Sequence, residues 1–220
     1  MKKFLFMASA VLTALITATT SYAHKYEYFE EGYINYDSDR MHFRISSSAI
    51  TSLLTKEVYE SALDWNSISS KVNLNLFWET PGVSTIGSMI SVVGEKLDPG
   101  YYGITKIYGV DGIRLKKESE LNATWGSVQI SMNTDFNEYN EVSDANKTRM
   151  AKAAFTHEVG HALKLAHTVN ANYLGLEMSD HTINGRPYAV MHDVLNEKQK
   201  ALAYTIQKHD KDCLIEKWGA

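Results

Sequence analysis

Two histidines four residues apart, His157 and His161, bracket Glu158-Val159-Gly160, and a third histidine follows at His167. On an α-helix each residue turns about 100°, so His157 and His161 stand one turn apart on one face, where two imidazoles can bind a single cation. Glu158 leaves the same turn one step round, placed to reach a ligand of that ion rather than the ion itself. A zinc ion held by three protein groups keeps a position for water and lowers the pKa of that water to roughly 7. A glutamate beside it can take the proton as water attacks a carbonyl carbon, then pass it to the leaving amine. The chemistry this pattern predicts is zinc-dependent hydrolysis of peptide bonds, with Glu158 as general base and acid. A bare H-E-x-x-H also arises on helices as an ordinary polar face. The third histidine, in a chain with an export leader, separates the two readings.

His167 can be a ligand only if the helix ends first. It lies six residues beyond His161, about 600° of rotation, which on a continuing helix points about 240° away from the ligand face. Ala162-Leu163-Lys164-Leu165-Ala166 must therefore hold a stop and a reversal. Rival third ligands are Glu177, the best of them, then Asp180, His181, His192 and Asp193, all ranked below His167.

The stretch His157-Glu158-Val159-Gly160-His161-Ala162-Leu163-Lys164-Leu165-Ala166-His167-Thr168 resembles the extended zinc signature of the metzincins, H-E-x-x-H-x-x-G-x-x-H. Ala162-Leu163 and Thr168 look most like the matrixin branch. Pro187-Tyr188-Ala189-Val190-Met191-His192 resembles the Met-turn of that clan, which implies Met191 as an apolar floor beneath the imidazoles. A methionine taken alone is more often an ordinary core residue. The resemblance implies one catalytic zinc on His157, His161 and His167. A second zinc site is missing its histidine-rich loop here, and calcium is possible but not predicted. Residues 96–100 and 110–112 could supply calcium oxygens, but turn chemistry explains them equally well. No tyrosine follows Met191 where some metzincins place an oxyanion donor; Tyr188 is the nearest candidate.

One position departs from the signature. Lys164 stands where the clan has glycine, the residue that takes the left-handed conformation ending the helix. A lysine in that conformation carries about 1–2 kcal/mol of strain, small beside the free energy of zinc binding. Alternatively, Lys164 extends to solvent near the negative end of the helix dipole.

Residues 1–23 read as a secretory signal peptide: Lys2-Lys3, an apolar run from Phe4 to Ile16, and small residues before a cleavage site after Ala23. The run is short for a membrane anchor. The expectation is a secreted, extracellular protein, bacterial by the simplicity of its leader. Residues 24–220 form one catalytic domain with its core at about 40–220. Cleavage removes two of 22 basic residues and none of 26 acidic ones, leaving a net charge of −6. With no basic cluster, nucleic acid and anionic membranes are poor partners. The expected partner is a protein or peptide substrate, bound by a monomer. Cys213, the only cysteine, reads as a small buried residue of a C-terminal helix. Latency through a propeptide cysteine on the zinc is not expected.

The elements that must position this chemistry read as follows. Met41 to Ile45 alternates as a half-buried strand. A helix begins near Leu54-Thr55-Lys56-Glu57 with Thr55 as cap, and Val58, Ala62 and Trp65 give it one apolar face. Val72, Leu74, Leu76 and Trp78 alternate as a strand, and Met89 to Val93 suits an inner strand. Val128, Ile130 and Met132 mark a strand ahead of the active-site helix, which is expected from Ser143 or Asp144 to about Leu163. A last helix is expected over Tyr204 to Trp218. Tyr101 to Tyr108 lies where metzincins carry an edge strand that pairs with extended substrate; a surface hairpin is the plainer reading. The fold class is α/β (α+β): a metzincin-like single catalytic domain, its twisted mixed sheet beneath an active-site helix and a second long helix, with a C-terminal helix. The rival function is a zinc-binding interaction protein, an adhesin or inhibitor, that keeps the ligands without turnover. A structural or scavenging metalloprotein with a closed four-ligand site is the third.

Overall fold

Five strands of the main sheet run in one direction and a single strand runs against them. The computed structural model describes Phe29 and residues 41–45, 52–78, 90–98, 101–116, 118–133, 144–166, 182–183, 186–187, 191 and 205–220. Strands β1 (Met41–Ile45), β2 (Leu74–Trp78), β3 (Ile90–Glu95), β4 (Gly103–Gly109), β5 (Arg114–Leu115) and β6 (Trp125–Asn133) form one sheet in the order β2-β1-β3-β6-β4-β5. β1 pairs with β2 and β3, and β3 with β6, all parallel. β4 is antiparallel to β6, with Gly103 opposite Met132 and Ile107 opposite Val128. β3 is thus an inner strand, as its apolar run predicts.

Parallel neighbours need a crossover, and helix α1 (Ser52–Asn66) supplies it between β1 and β2. It starts earlier than expected, so Thr55 lies inside the helix and is not its cap. Its inward residues are those read from the sequence: Val58, Ala62 and Trp65 are buried. Helix α3 (Asp144–Ala162) follows β6 and packs across both α1 and the sheet. Between the two helices, Ser61 Oγ meets Thr156 Oγ1 at 2.8 Å and Trp65 Nε1 donates to the Thr156 carbonyl at 3.0 Å. Phe155, Val159 and Ala162 carry α3 into a core shared with Ile90, Val92, Val128 and Ile130. Short α2 (Glu118–Leu121) precedes β6, and β7 (Thr182–Ile183) pairs with β8 (Arg186–Pro187).

The last helix, α4 (Lys208–Trp218), begins later than the sequence suggests. Its turn-initiating group is Asp210, whose Oδ2 accepts the Gln207 amide at 2.8 Å. Cys213 is buried in α4, as expected, with its Sγ 3.5 Å from His209 Nε2. The β4–β5 turn needs no cation to explain it: Asp111 Oδ1 accepts the Ile113 amide at 2.9 Å, and Gly112 takes φ +76. The α/β class with a mixed sheet, a long helix carrying His157 and His161, a second long helix and a C-terminal helix is the architecture observed. No helix among the described residues is long and apolar enough to cross a membrane.

Candidate metal centre

Helix α3 brings His157 and His161 together as the i, i+4 spacing requires. Their rings stand edge to face with centroids 4.7 Å apart. His161 Nδ1 lies 2.9 Å from the Leu165 carbonyl oxygen. A carbonyl only accepts, so Nδ1 carries the proton in that bond, and the lone pair belongs to Nε2. A backbone carbonyl fixing the tautomer of a ligating imidazole is the usual outer support of a metal site. Two imidazoles 4.7 Å apart on one helical turn, one of them tautomer-fixed, are donors of the kind zinc accepts.

Glu158 is buried between the helix and β4. Its Oε2 accepts the Thr105 hydroxyl at 2.7 Å, and that hydroxyl also lies 3.0 Å from the Glu158 carbonyl. Gly103, two residues earlier on the same face of β4, leaves room for the side chain: a Cβ there would sit 2.8 Å from Glu158 Cγ. Burial pushes the Glu158 carboxyl up to about 7, with the Thr105 hydrogen bonds pulling against the rise. Thr105 was not singled out in the sequence. The signal was present, since alternation puts Gly103, Thr105 and buried Ile107 on one face of β4.

The helix ends within the stretch expected to hold its stop. α3 ends at Ala162, and Lys164 has φ +67, the one non-glycine with positive φ among the described residues. The Lys164 amide donates to the His161 carbonyl at 2.9 Å and the Leu165 amide to the Gly160 carbonyl at 2.9 Å, a Schellman ending. The helix ending is therefore built with lysine in glycine's place. The alternative of a solvent-reaching Lys164 is overturned, because its side chain is fully buried. Nζ donates to the Ala123 carbonyl at 3.0 Å and sits 4.4 Å from the centre of the Trp125 ring.

Met191 is buried against the helix between the two histidines. A Cβ on Gly160 would collide with Met191 Sδ and approach Trp65 Cζ2 to 3.1 Å, so only glycine admits the thioether. The Met191 amide donates to Asp210 Oδ1 at 3.1 Å, which ties it to the start of α4. Asp210 was missed by sequence reasoning, because nothing local to it points to residue 191.

His167, Thr168 and the rivals Glu177, Asp180, His181, His192 and Asp193 lie outside the described residues, as do Tyr188 and residues 1–23. Among the described residues no group of three His, Cys, Asp or Glu could hold a metal ion. The two described candidates are His157 and His161.

No family profile matches the sequence, and no curated protein is detectably similar to it. Among solved structures the chain is similar to an archaemetzincin from Methanopyrus kandleri. The TM-score is 0.44 and the identity 11%, over 84% of this chain and 98% of that one. At that level of likeness, a functional reading has to stand on the geometry of this chain.

Proposed function

We propose that this chain is a zinc-dependent endopeptidase, exported by its signal peptide and acting outside the cell as a monomer. The observation that carries the reading is the placement of Glu158: a buried carboxylate one residue from His157, held by Thr105 at the face of β4. A protein that only binds zinc has no use for a base aimed in this way, which sets the adhesin-like alternative behind.

His157 and His161 would hold the metal together with His167, above the thioether of Met191. Zinc there would act as a Lewis acid, acidifying water and polarising the scissile carbonyl. Glu158 takes a proton from the attacking water and returns it to the departing amine nitrogen, the part for which Thr105 orients it. His161, donating through Nδ1 to Leu165, keeps Nε2 as its electron-pair donor. Substrate positioning falls to β4. Its outer edge from Gly103 to Lys106 has no strand partner among the described residues, since β5 pairs only Ile107 and Tyr108. An extended peptide can add there as a strand beside the base. Within the metzincins, the resemblance to the matrixin branch rests on Ala162-Leu163 and Thr168.

The test is digestion of a peptide library by the mature chain, with and without o-phenanthroline, alongside Glu158→Gln. The glutamine variant should keep about one zinc per chain and lose about 10²-fold or more in rate. Equal cleavage by both proteins rejects the mechanism. A His167→Ala variant with unchanged zinc affinity would move the third ligand to another group, Glu177 first.

A further inference from the structure

We infer that Lys164 is a positioning residue: its buried ammonium, clamped between the Trp125 ring and the Ala123 carbonyl, locks the turn that carries the chain from His161 to His167. The inference rests on the peptidase reading for its metal. It goes beyond that reading in giving a task to the residue that departs from the signature.

A left-handed residue at a helix end needs only a permissive backbone, and glycine meets that need without any side chain. Lysine is a poor choice on that ground, so the side chain must contribute something else. Its stem is wholly buried, and Nζ reaches the loop that starts β6, 41 residues away in sequence. The ring it faces is immobile: Trp125 is buried, and its indole donates to the Leu121 carbonyl at 2.8 Å. A desolvated ammonium against an indole face is among the stronger cation–π arrangements.

The backbone around Lys164 is tied down to match. The Leu163 carbonyl accepts Trp218 Nε1 at 2.9 Å, from the last turn of α4. The Lys164 carbonyl accepts the Phe29 amide at 2.8 Å, and the Phe29 ring stands 5.6 Å from that of Trp125. The Leu165 carbonyl holds His161 Nδ1. Three successive carbonyls are thus taken by the C-terminal helix, the N-terminal segment and a proposed metal ligand. Lys164 is the side chain that fastens the same turn to the sheet. With the turn fixed before metal arrives, the ligand two residues past Leu165 pays less ordering entropy on binding.

The experiment compares the mature chain with Lys164→Gly, Lys164→Met and Lys164→Arg. Two quantities are read: the zinc dissociation constant by chelator competition, and amide exchange at Leu165 in the zinc-free protein. Glycine removes the strain and the lock together, methionine keeps bulk without charge, and arginine keeps a cation for the ring. Glycine and methionine should each weaken zinc by about 10- to 100-fold, the usual effect of losing an outer-shell support. Leu165 should lose protection in both, with protection at Val128 and Ile130 unchanged, and arginine should recover most of each loss. If glycine binds zinc as tightly as lysine and Leu165 stays protected, the inference is overturned. Should glycine fail to fold, the methionine and arginine pair gives the same decision. A wild-type chain that takes up no zinc sinks the peptidase reading and the positioning role with it. Positioning alone fails where wild type binds zinc and the variants match it.

Discussion

A carboxylate that is to accept a proton and hand it back, the part proposed for Glu158, is useful only when its oxygens are aimed, and Thr105 is placed to set that aim. Its hydroxyl holds Glu158 Oε2 at 2.7 Å. Thr105→Val keeps the shape of β4 and removes that bond. The expected outcome is a fall in kcat of about tenfold or more with KM and zinc content little changed, read by steady-state kinetics and metal analysis. Equal losses in zinc and rate would place the threonine in metal retention instead. At Gly160 the demand is for space. Gly160→Ala drives a methyl group into Met191 and toward Trp65, neither of which can yield into solvent. An overpacked core of this kind costs about 1–3 kcal/mol, measurable as a lower denaturant midpoint at unchanged slope. His157, Glu158, His161 and Lys164 were legible in the sequence because a helix fixes their relations within one or two turns. Thr105 and Asp210 act on residues 53 and 19 positions away, and no local pattern encodes such distances. The alternative of a solvent-reaching Lys164 fails for a similar reason: the ring that receives its ammonium belongs to a strand begun 39 residues earlier.

The elements themselves were easier to read than their ends. Alternation located β1, β2 and β6, a short apolar run located β3, and helical spacing located α1 and α3. The first turn of α1 and the start of α4 were misplaced. A capping residue is defined by backbone geometry as much as by its type: Gln207 is the cap of α4, and Asp210 closes its capping box while also holding Met191. Between α1 and α3 lies an ion cluster that the helical patterns did not show. Lys152 Nζ is 3.2 Å from Glu60 Oε2 and 3.1 Å from Asp64 Oδ2. Burial alone would lower the Lys152 pKa, but the hydrogen bonds and charges of Asp64 and Glu60 outweigh it and raise the value above 10.5. A cation whose folded pKa is raised stabilises the fold fully below the unfolded pKa, and that contribution is lost as pH climbs through the folded value. The difference in Tm between wild type and Lys152→Met should therefore be constant from neutral pH to about pH 10. Above that it should shrink. A difference that stays flat above pH 10 would mean that the lysine is held for its packing, and one that grows would mean that burial outweighs the ion pairs.

At the scale of the whole molecule, the proposed site is where distant parts of the chain meet. The turn at Lys164 joins α3 to the strand start at Trp125, to Phe29 near the N-terminus and to Trp218 near the C-terminus. An ion bound by His157, His161 and His167 would bridge the two sides of that turn in the folded chain alone, so its binding energy adds to folding stability. A ligand specific for the folded state stabilises by RT ln(1 + [L]/Kd), about 2.7 kcal/mol at a hundredfold excess over Kd. For a mature chain of this size that corresponds to about 5–10 °C in Tm. Stripping zinc with a chelator should lower Tm by this amount and restoring zinc should recover it, followed by circular dichroism at fixed protein concentration. His161→Ala should already melt near the zinc-free value and respond little to added zinc, because it loses a proposed ligand and the Leu165 carbonyl's partner together. If wild type and His161→Ala gain the same increment from zinc, the ion is binding elsewhere, and the convergence of α3 and its reversing turn serves the fold alone.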